Sequence, residues 1–438
     1  MTPTTTRIVA LKNRAKAATL FARDVRQLQQ ELFLTVCATA LRDALVDANS
    51  REPYRDYLEG IITKLDLTLA WCQQELDSIQ ATESSNGTAE EGGSATSSSS
   101  LGPHHEAVSR DDIYTIRQEF TDDLMLVYES LQETGHGFIA DGLLTDILRN
   151  VSAFGLTLIP LDVRQESDRH EEAMDCITRN LGLGSFKQWD EQTRIEWLTT
   201  QISSKERLLR PGVWKDHPEN FPPTAVDTLE IFAMIADQLP ESLGTYVISQ
   251  ATSASDVLSV LLLQLDAGVQ KPLGVAPLFE TLGDLQGAED TMRSLYSLPA
   301  YMGVIHGKQQ ITIGYSDSAK DAGRLAASWA QYETQEKLSA LAKEYGVDVT
   351  FFHGKGGTVG RGGNPQTFLA IMAHAPETIN GYFRVTEQGE MINQNFGFGD
   401  RAERTLDIYT AAVLAEKLTE RPSPSKEYRD MMQKIFGH

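Results

Sequence analysis

The chain has 438 residues, more than one ordinary domain requires, and its 41% hydrophobic content is ample for a core. Lys and Arg number 39 against 61 Asp and Glu, and the net charge of −22 argues against nucleic-acid or anionic-membrane partners, so any basic pocket must be local. No apolar run approaches membrane-spanning length, the stretch Met1 to Arg7 lacks the apolar core of a secretory signal, and Cys37, Cys72 and Cys176 are scattered without metal spacing, which together suggest a cytoplasmic protein with reduced thiols.

Residues 1–81 read as a helical region, with apolar side chains recurring every three or four residues in Val25 to Phe33 and Tyr57 to Leu65. Residues 82–110 form a Ser/Gly/Thr/Glu tract with almost nothing to bury, and a disordered insertion is expected there. From 111 to 438, helical segments alternate with short apolar runs. Strand candidates are 156–163, 245–249, 273–279, 310–315, 347–352 and 381–386. This alternation predicts an α/β fold with a parallel sheet or barrel. Polar groups cluster just after these runs: Arg164, Ser249, Glu280, Asp317, His353, and Glu387 with Gln388. In a parallel barrel the C-terminal ends of all strands open on one face, so these groups are expected to converge.

Glu280 and Asp317 form a natural metal pair, because two hard carboxylates without a Cys or His cluster suit Mg²⁺ or Mn²⁺; helix-capping or surface carboxylates are the plain alternative. Lys320 follows Asp317 by three residues and is either a site-facing ammonium or a solvated helix lysine. Arg164 offers a planar donor fork for phosphate or carboxylate, or a salt bridge to Glu166 or Asp162. His353 is a candidate acid or base, although most single histidines are structural. After it comes a run with six glycines in the ten residues 354–363, together with Lys355 and Arg361 and no acidic residue. Such a loop lets backbone approach a small anion closely at Gly356 and Gly357, while Arg361 stabilises developing negative charge. It fits neither a Walker A sequence nor Gly-x-Gly-x-x-Gly read from Gly354.

These residues resemble the phosphoenolpyruvate carboxylase family. The resemblance rests on Tyr128-Glu129-Ser130-Leu131-Gln132-Glu133-Thr134-Gly135, Asp162-Val163-Arg164-Gln165-Glu166-Ser167, Pro277-Leu278-Phe279-Glu280-Thr281-Leu282, Gly314-Tyr315-Ser316-Asp317-Ser318-Ala319-Lys320-Asp321, the glycine loop, and Val385-Thr386-Glu387-Gln388-Gly389-Glu390. It implies a predominantly helical lyase built around an eight-stranded barrel, usually a homotetramer, that joins phosphoenolpyruvate and bicarbonate into oxaloacetate and phosphate with Mg²⁺ or Mn²⁺. It also implies that Glu280 and Asp317 hold the metal, that Arg164 binds phosphoenolpyruvate, and that His353 and Arg361 serve the carboxyphosphate steps.

There are departures from the family pattern. Lys355 stands where the family usually has arginine, which keeps the charge and loses the bidentate fork. The family's catalytic-histidine segment and its C-terminal part have no counterpart in this sequence. The expectation is therefore an incomplete TIM-type (β/α) barrel with about six of eight strands and additional helices, inactive on its own as a fragment of the enzyme. The alternative is a shortened non-catalytic paralogue that binds the anion or pairs with complete subunits.

Overall fold

A computed structural model describes residues 2–87, 107–204, 206–354, 365–386 and 389–436. The chain forms two compact units: residues 1–161 with 237–244, and residues 162–236 with 245–438. Most of the expected insertion at 82–110 falls on residues 88–106, outside the described residues; the helix preceding it, Pro53–Gly87, runs past residue 81.

The first unit is helical. Its opening helix, Pro3–Glu31, starts where Thr2 caps it, the Thr2 hydroxyl accepting from the Thr5 amide at 3.2 Å, and Pro3 at the first helical position has no N–H to leave unpaired. This helix packs along Pro53–Gly87, and with the helix Arg117–Glu133 they enclose a core that includes Phe21, Tyr54, Leu58, Phe120 and Leu131. Phe21 meets Phe120 edge to face with ring centres 5.3 Å apart.

Arg14 is buried beside that core, 1% exposed, and donates to the carbonyls of Tyr114, Thr115 and Pro240 at 3.0, 3.2 and 3.0 Å. Burial lowers its pKa from the ordinary value, yet the three carbonyls have the guanidinium as their donor. Arg14→Ala strands them in a dry setting, and we expect this unit to lose about 3 kcal/mol, read as a lower urea midpoint. Arg14→Lys restores only part, since an ammonium lacks the planar fork.

The second unit carries a six-stranded parallel sheet in the order β1-β2-β3-β4-β5-β6, with β1 Leu161–Glu166, β2 Leu243–Ser249, β3 Val275–Phe279, β4 Lys308–Gly314, β5 Asp348–Gly354 and β6 Arg384–Val385. Helices such as Ser167–Asn180, Ala254–Ala267, Leu282–Tyr296 and Arg324–Glu344 return the chain between strands. Five strands overlap the expected runs closely, whereas β1 begins five residues later than the candidate 156–163. Leu156 is instead buried in the helical core of the first unit, Leu158 takes a left-handed φ of 59°, and Pro160 has no N–H for a ladder. Arg164 consequently lies within the strand and not after it.

The sheet is strongly curled. Arg384 at the start of β6 forms an ion pair with Asp162 of β1 and reaches Gln310 of β4 at 3.0 Å. Five strand spacings would separate β1 and β6 by roughly 24 Å in a flat sheet, several times the length of an arginine side chain. Only a sheet bent toward closure brings them together, and the result is an incomplete TIM-type barrel, its concave face also lined by Val247, Ala276 and Leu278.

On the convex side, His170 of the helix Ser167–Asn180 is fully buried against Tyr246 of β2, with Nε2 2.8 Å from the tyrosine oxygen. Burial, with Arg169 adding to it, pushes the imidazole pKa down to about 3. The folded state thus holds His170 neutral, while the unfolded chain protonates it near pH 6.5. The stability that depends on its neutrality is present above about pH 6.5 and is lost as pH falls toward 3, by about 1.4 kcal/mol per pH unit. In His170→Gln, the urea midpoint should fall less between pH 6 and pH 5 than it does in the wild type.

Candidate active site

Four charged groups meet at the C-terminal ends of β1, β3 and β4. Arg164 of β1 donates to Glu280 Oε1 at 2.8 Å; Glu280 directly follows β3. Its carboxyl lies within hydrogen-bonding reach of Asp317, and Asp317 Oδ1 accepts from Lys320 Nζ at 2.8 Å. The order along the rim is cation, carboxyl, carboxyl, cation. Glu280 is the most enclosed of the four, with 14% of its side chain exposed against 61% for Arg164 and 74% for Lys320.

Local structure fixes each of them. Thr281 caps the helix Leu282–Tyr296 through Asp284, and Asp284 also accepts from the Glu280 amide at 3.1 Å, so the backbone bearing Glu280 is held by the cap that starts the next helix. Asp317 and Lys320 lie on the short helix Ser316–Ala322 at the end of β4. That helix is pinned from beneath: buried Gln331 donates to the Gly314 carbonyl at 3.1 Å and to Ser318 Oγ at 2.9 Å. Asp321 accepts from the Leu282 amide at 3.1 Å and ties the end of this short helix to the start of Leu282–Tyr296.

Gly314 makes the close approach possible. A Cβ at this position would stand 2.8 Å from the Cα of Glu280, closer than real Cβ atoms come, and 3.2 Å from its Cβ. Its backbone needs no left-handed conformation, so the requirement is one of space alone.

The electrostatics separate the two carboxyls. Glu280 is raised from the ordinary glutamate value, first by burial and further by Asp317, with Arg164 pulling the other way. Asp317 is lowered, first by its hydrogen bond to Lys320. Two carboxyl groups this close, one raised and the other lowered, with one side open to solvent, make a donor set that suits a hard divalent cation. Mg²⁺ in particular takes one or two carboxylates and leaves its other positions to water and substrate oxygens. Among the described residues no group of three or more His, Cys, Asp and Glu side chains is arranged to hold a metal, so the pair is the whole protein contribution seen there.

Of the residues singled out in the sequence, Arg164, Glu280, Asp317 and Lys320 come together. Neither of the salt-bridge partners anticipated for Arg164 is used: Asp162 pairs with Arg384, and Arg164 with Glu280. Lys355, Gly356, Gly357 and Arg361 lie outside the described residues, as do Glu387 and Gln388.

His353 goes elsewhere. In the parallel register it is the partner of Ile313, which is fully buried under the helices, so its side chain shares that convex face and does not share the face of the carboxylates. It is 1% exposed, stacks against Phe383, lies 4.1 Å from the ring of His374, and its Nδ1 is 3.0 Å from the Tyr315 hydroxyl. Tyr315 immediately precedes the helix that carries Asp317, so this hydrogen bond links the end of β5 to the carboxylate helix. Gly314, Tyr315, Gln331 and His374 were not anticipated. For Gly314 and Tyr315 the signal is a strand ending in glycine directly before Tyr315-Ser316-Asp317; Gln331 and His374 carry none.

The phosphoenolpyruvate carboxylase family model matches residues 1–437. The chain belongs to the phosphoenolpyruvate carboxylase family. It is 42% identical over 432 residues to a phosphoenolpyruvate carboxylase of Marinomonas sp., covering 98% of this chain and 45% of that protein. It is 44% identical over 438 residues to the one of Pseudomonas syringae pv. syringae, covering 99% and 45%. A phosphoenolpyruvate carboxylase of Arabidopsis thaliana is 41% identical over 452 residues, covering 99% and 44%. The chain thus spans a little under half the length of these relatives. Within the phosphoenolpyruvate carboxylase family, then, the stretch in hand supplies six parallel strands and the rim cluster just described. No helix among the described residues is long and apolar enough to cross a membrane.

Proposed function

We propose that the protein carrying this chain carboxylates phosphoenolpyruvate with bicarbonate, giving oxaloacetate and inorganic phosphate. The observation that carries this reading is the rim cluster of Arg164, Glu280, Asp317 and Lys320, in a chain of this family. Glu280 and Asp317 would hold Mg²⁺ or Mn²⁺, which when bound supplies positive charge to substrate oxygens. Arg164 would give its planar fork to the phosphate or carboxylate of phosphoenolpyruvate, a reading supported by its exposure and its pairing with Glu280. Lys320 keeps Asp317 ionised, because its ammonium favours the charged carboxylate.

The chemistry follows from those demands. The phosphoryl group passes from phosphoenolpyruvate to bicarbonate, forming carboxyphosphate and the enolate of pyruvate. Carboxyphosphate then breaks into carbon dioxide and phosphate, and the enolate carbon captures the carbon dioxide. Cationic donors at Arg164, Arg361 and Lys355 offset the negative charge that moves among these species. The family resemblance assigns His353 to the carboxyphosphate steps as well; its burial against Tyr315 supports a part in holding the start of the loop in register with the carboxylate helix. We also read the protein as a cytoplasmic homotetramer, supported by the family's usual form and by three cysteines that are all free.

The test couples oxaloacetate to malate dehydrogenase and follows NADH oxidation in the whole protein. Turnover that needs both bicarbonate and a divalent cation is expected. Phosphate release without bicarbonate would point to a different lyase, and anion binding without turnover to a non-catalytic paralogue.

A further inference from the structure

Away from the rim, a cavity of about 180 Å³ sits between the helices Pro223–Asp237 and Ala254–Ala267 and the turn that leads into Val213–Asp216. The helix Ala254–Ala267 starts just beyond the C-terminal end of β2 and carries Asp266 near its own far end, so the cavity lies at the opposite end of that helix from the strand termini. Leu209, Leu229, Phe232 and Leu263 give it apolar walls, and Trp214 and Asp266, each 9% exposed, are its buried polar residues.

The two polar residues differ. Asp266 Oδ1 is occupied by the backbone amides of Leu208 and Leu209, at 2.5 and 3.2 Å, and so fastens the wall. The Trp214 indole N–H is buried and has no hydrogen-bond partner among the described residues. A buried donor without an acceptor costs about 1–3 kcal/mol, so native structures usually satisfy it. The volume is close to that of apolar cavities of about 150 Å³ that admit one benzene ring. A largely apolar pocket of single-ring size, with exposed Lys215 also in its lining and one buried unsatisfied donor, defines a ligand chiefly by shape and by one acceptor atom.

We propose that this cavity is a binding site for a neutral single-ring aromatic molecule bearing a hydrogen-bond acceptor, which the Trp214 indole N–H receives. Walls of Leu209, Leu229, Phe232 and Leu263 supply the apolar contact, and the acceptor confers the preference over a bare hydrocarbon ring.

The probes are acetophenone, a ring with a carbonyl acceptor, and ethylbenzene, a ring of similar size without one. Whole protein labelled with 5-fluorotryptophan is titrated with each, and the Trp214 signal is identified by its loss in Trp214→Phe. Saturable movement of the Trp214 signal is expected with both probes, with acetophenone binding about fivefold more tightly, the gain from one hydrogen bond. In Trp214→Phe, which keeps a ring in the wall and removes the donor, ethylbenzene should still protect the protein against heat while the acetophenone preference disappears. The proposal is overturned by an unmoved Trp214 signal at millimolar probe, by equal affinities for the two probes (the result if water already satisfies the indole), or by a preference that survives in Trp214→Phe.

Discussion

Glu280→Gln should lower oxaloacetate formation about a thousandfold while leaving the protein folded. The amide keeps the size of the carboxyl and its NH2 can donate to Asp317, so the rim should hold its shape. What it cannot do is present an anionic oxygen to a divalent cation, and charge stabilisation of that kind supplies several kcal/mol to reactions of oxyanions. About 4 kcal/mol corresponds to roughly three orders of magnitude in rate. The substitution also deprives Arg164 of its ionic partner, so the KM for phosphoenolpyruvate should change along with kcat. A variant with near wild-type kcat at saturating Mg²⁺ would remove Glu280 from the catalytic account.

Gly314→Ala is the second large effect, at a residue with no chemistry of its own. The new methyl would press on the backbone Cα of Glu280 at 2.8 Å, and a backbone atom cannot swing aside as a side-chain tip can. Either β3 or β4 must shift at its end, which costs about 1–3 kcal/mol as overpacking does. The shift moves Glu280 relative to Asp317, and misplacement near 1 Å can cost about a hundredfold in rate. We therefore expect a fall in kcat/KM near that size with a modest drop in Tm. Gly287→Ala is the control: it lies inside the helix Leu282–Tyr296, an added Cβ meets nothing within 4 Å, and the change should be neutral or stabilising by about 0.5–1 kcal/mol. Equal activity in the two variants would show that the packing at Gly314 does not position Glu280.

Much of this arrangement could be read from residue order. β2 to β5 emerged because Val, Ile and Phe runs are bounded by glycine and polar residues, and the rim followed from what comes after each run. Strand ends bring Glu280 and Asp317 together, and Arg164 reaches them from within β1. Side-chain parity was harder to read. In Val349, Phe351 and Phe352 both faces of β5 are apolar, so alternation does not reveal which face His353 takes, and a one-residue difference sends it from the rim to the helix side.

Long-range pairing was out of reach as well. Asp162 looked like a neighbour for Arg164 because the two are close in sequence, but the curl of the sheet delivers Arg384 from 222 residues away. β1 starts later than the apolar run suggests because Leu156 and Leu158 serve the core of the helical unit, a use that local hydrophobicity does not distinguish from a strand.

We propose that Glu280 and Asp317 jointly hold a divalent cation. Titrating Mn²⁺ into the whole protein, followed by water-proton relaxation, tests it without reliance on turnover. One tight site is expected in the wild type, weakened at least about tenfold in both Glu280→Gln and Asp317→Asn. Unchanged Mn²⁺ affinity in the two variants would contradict it.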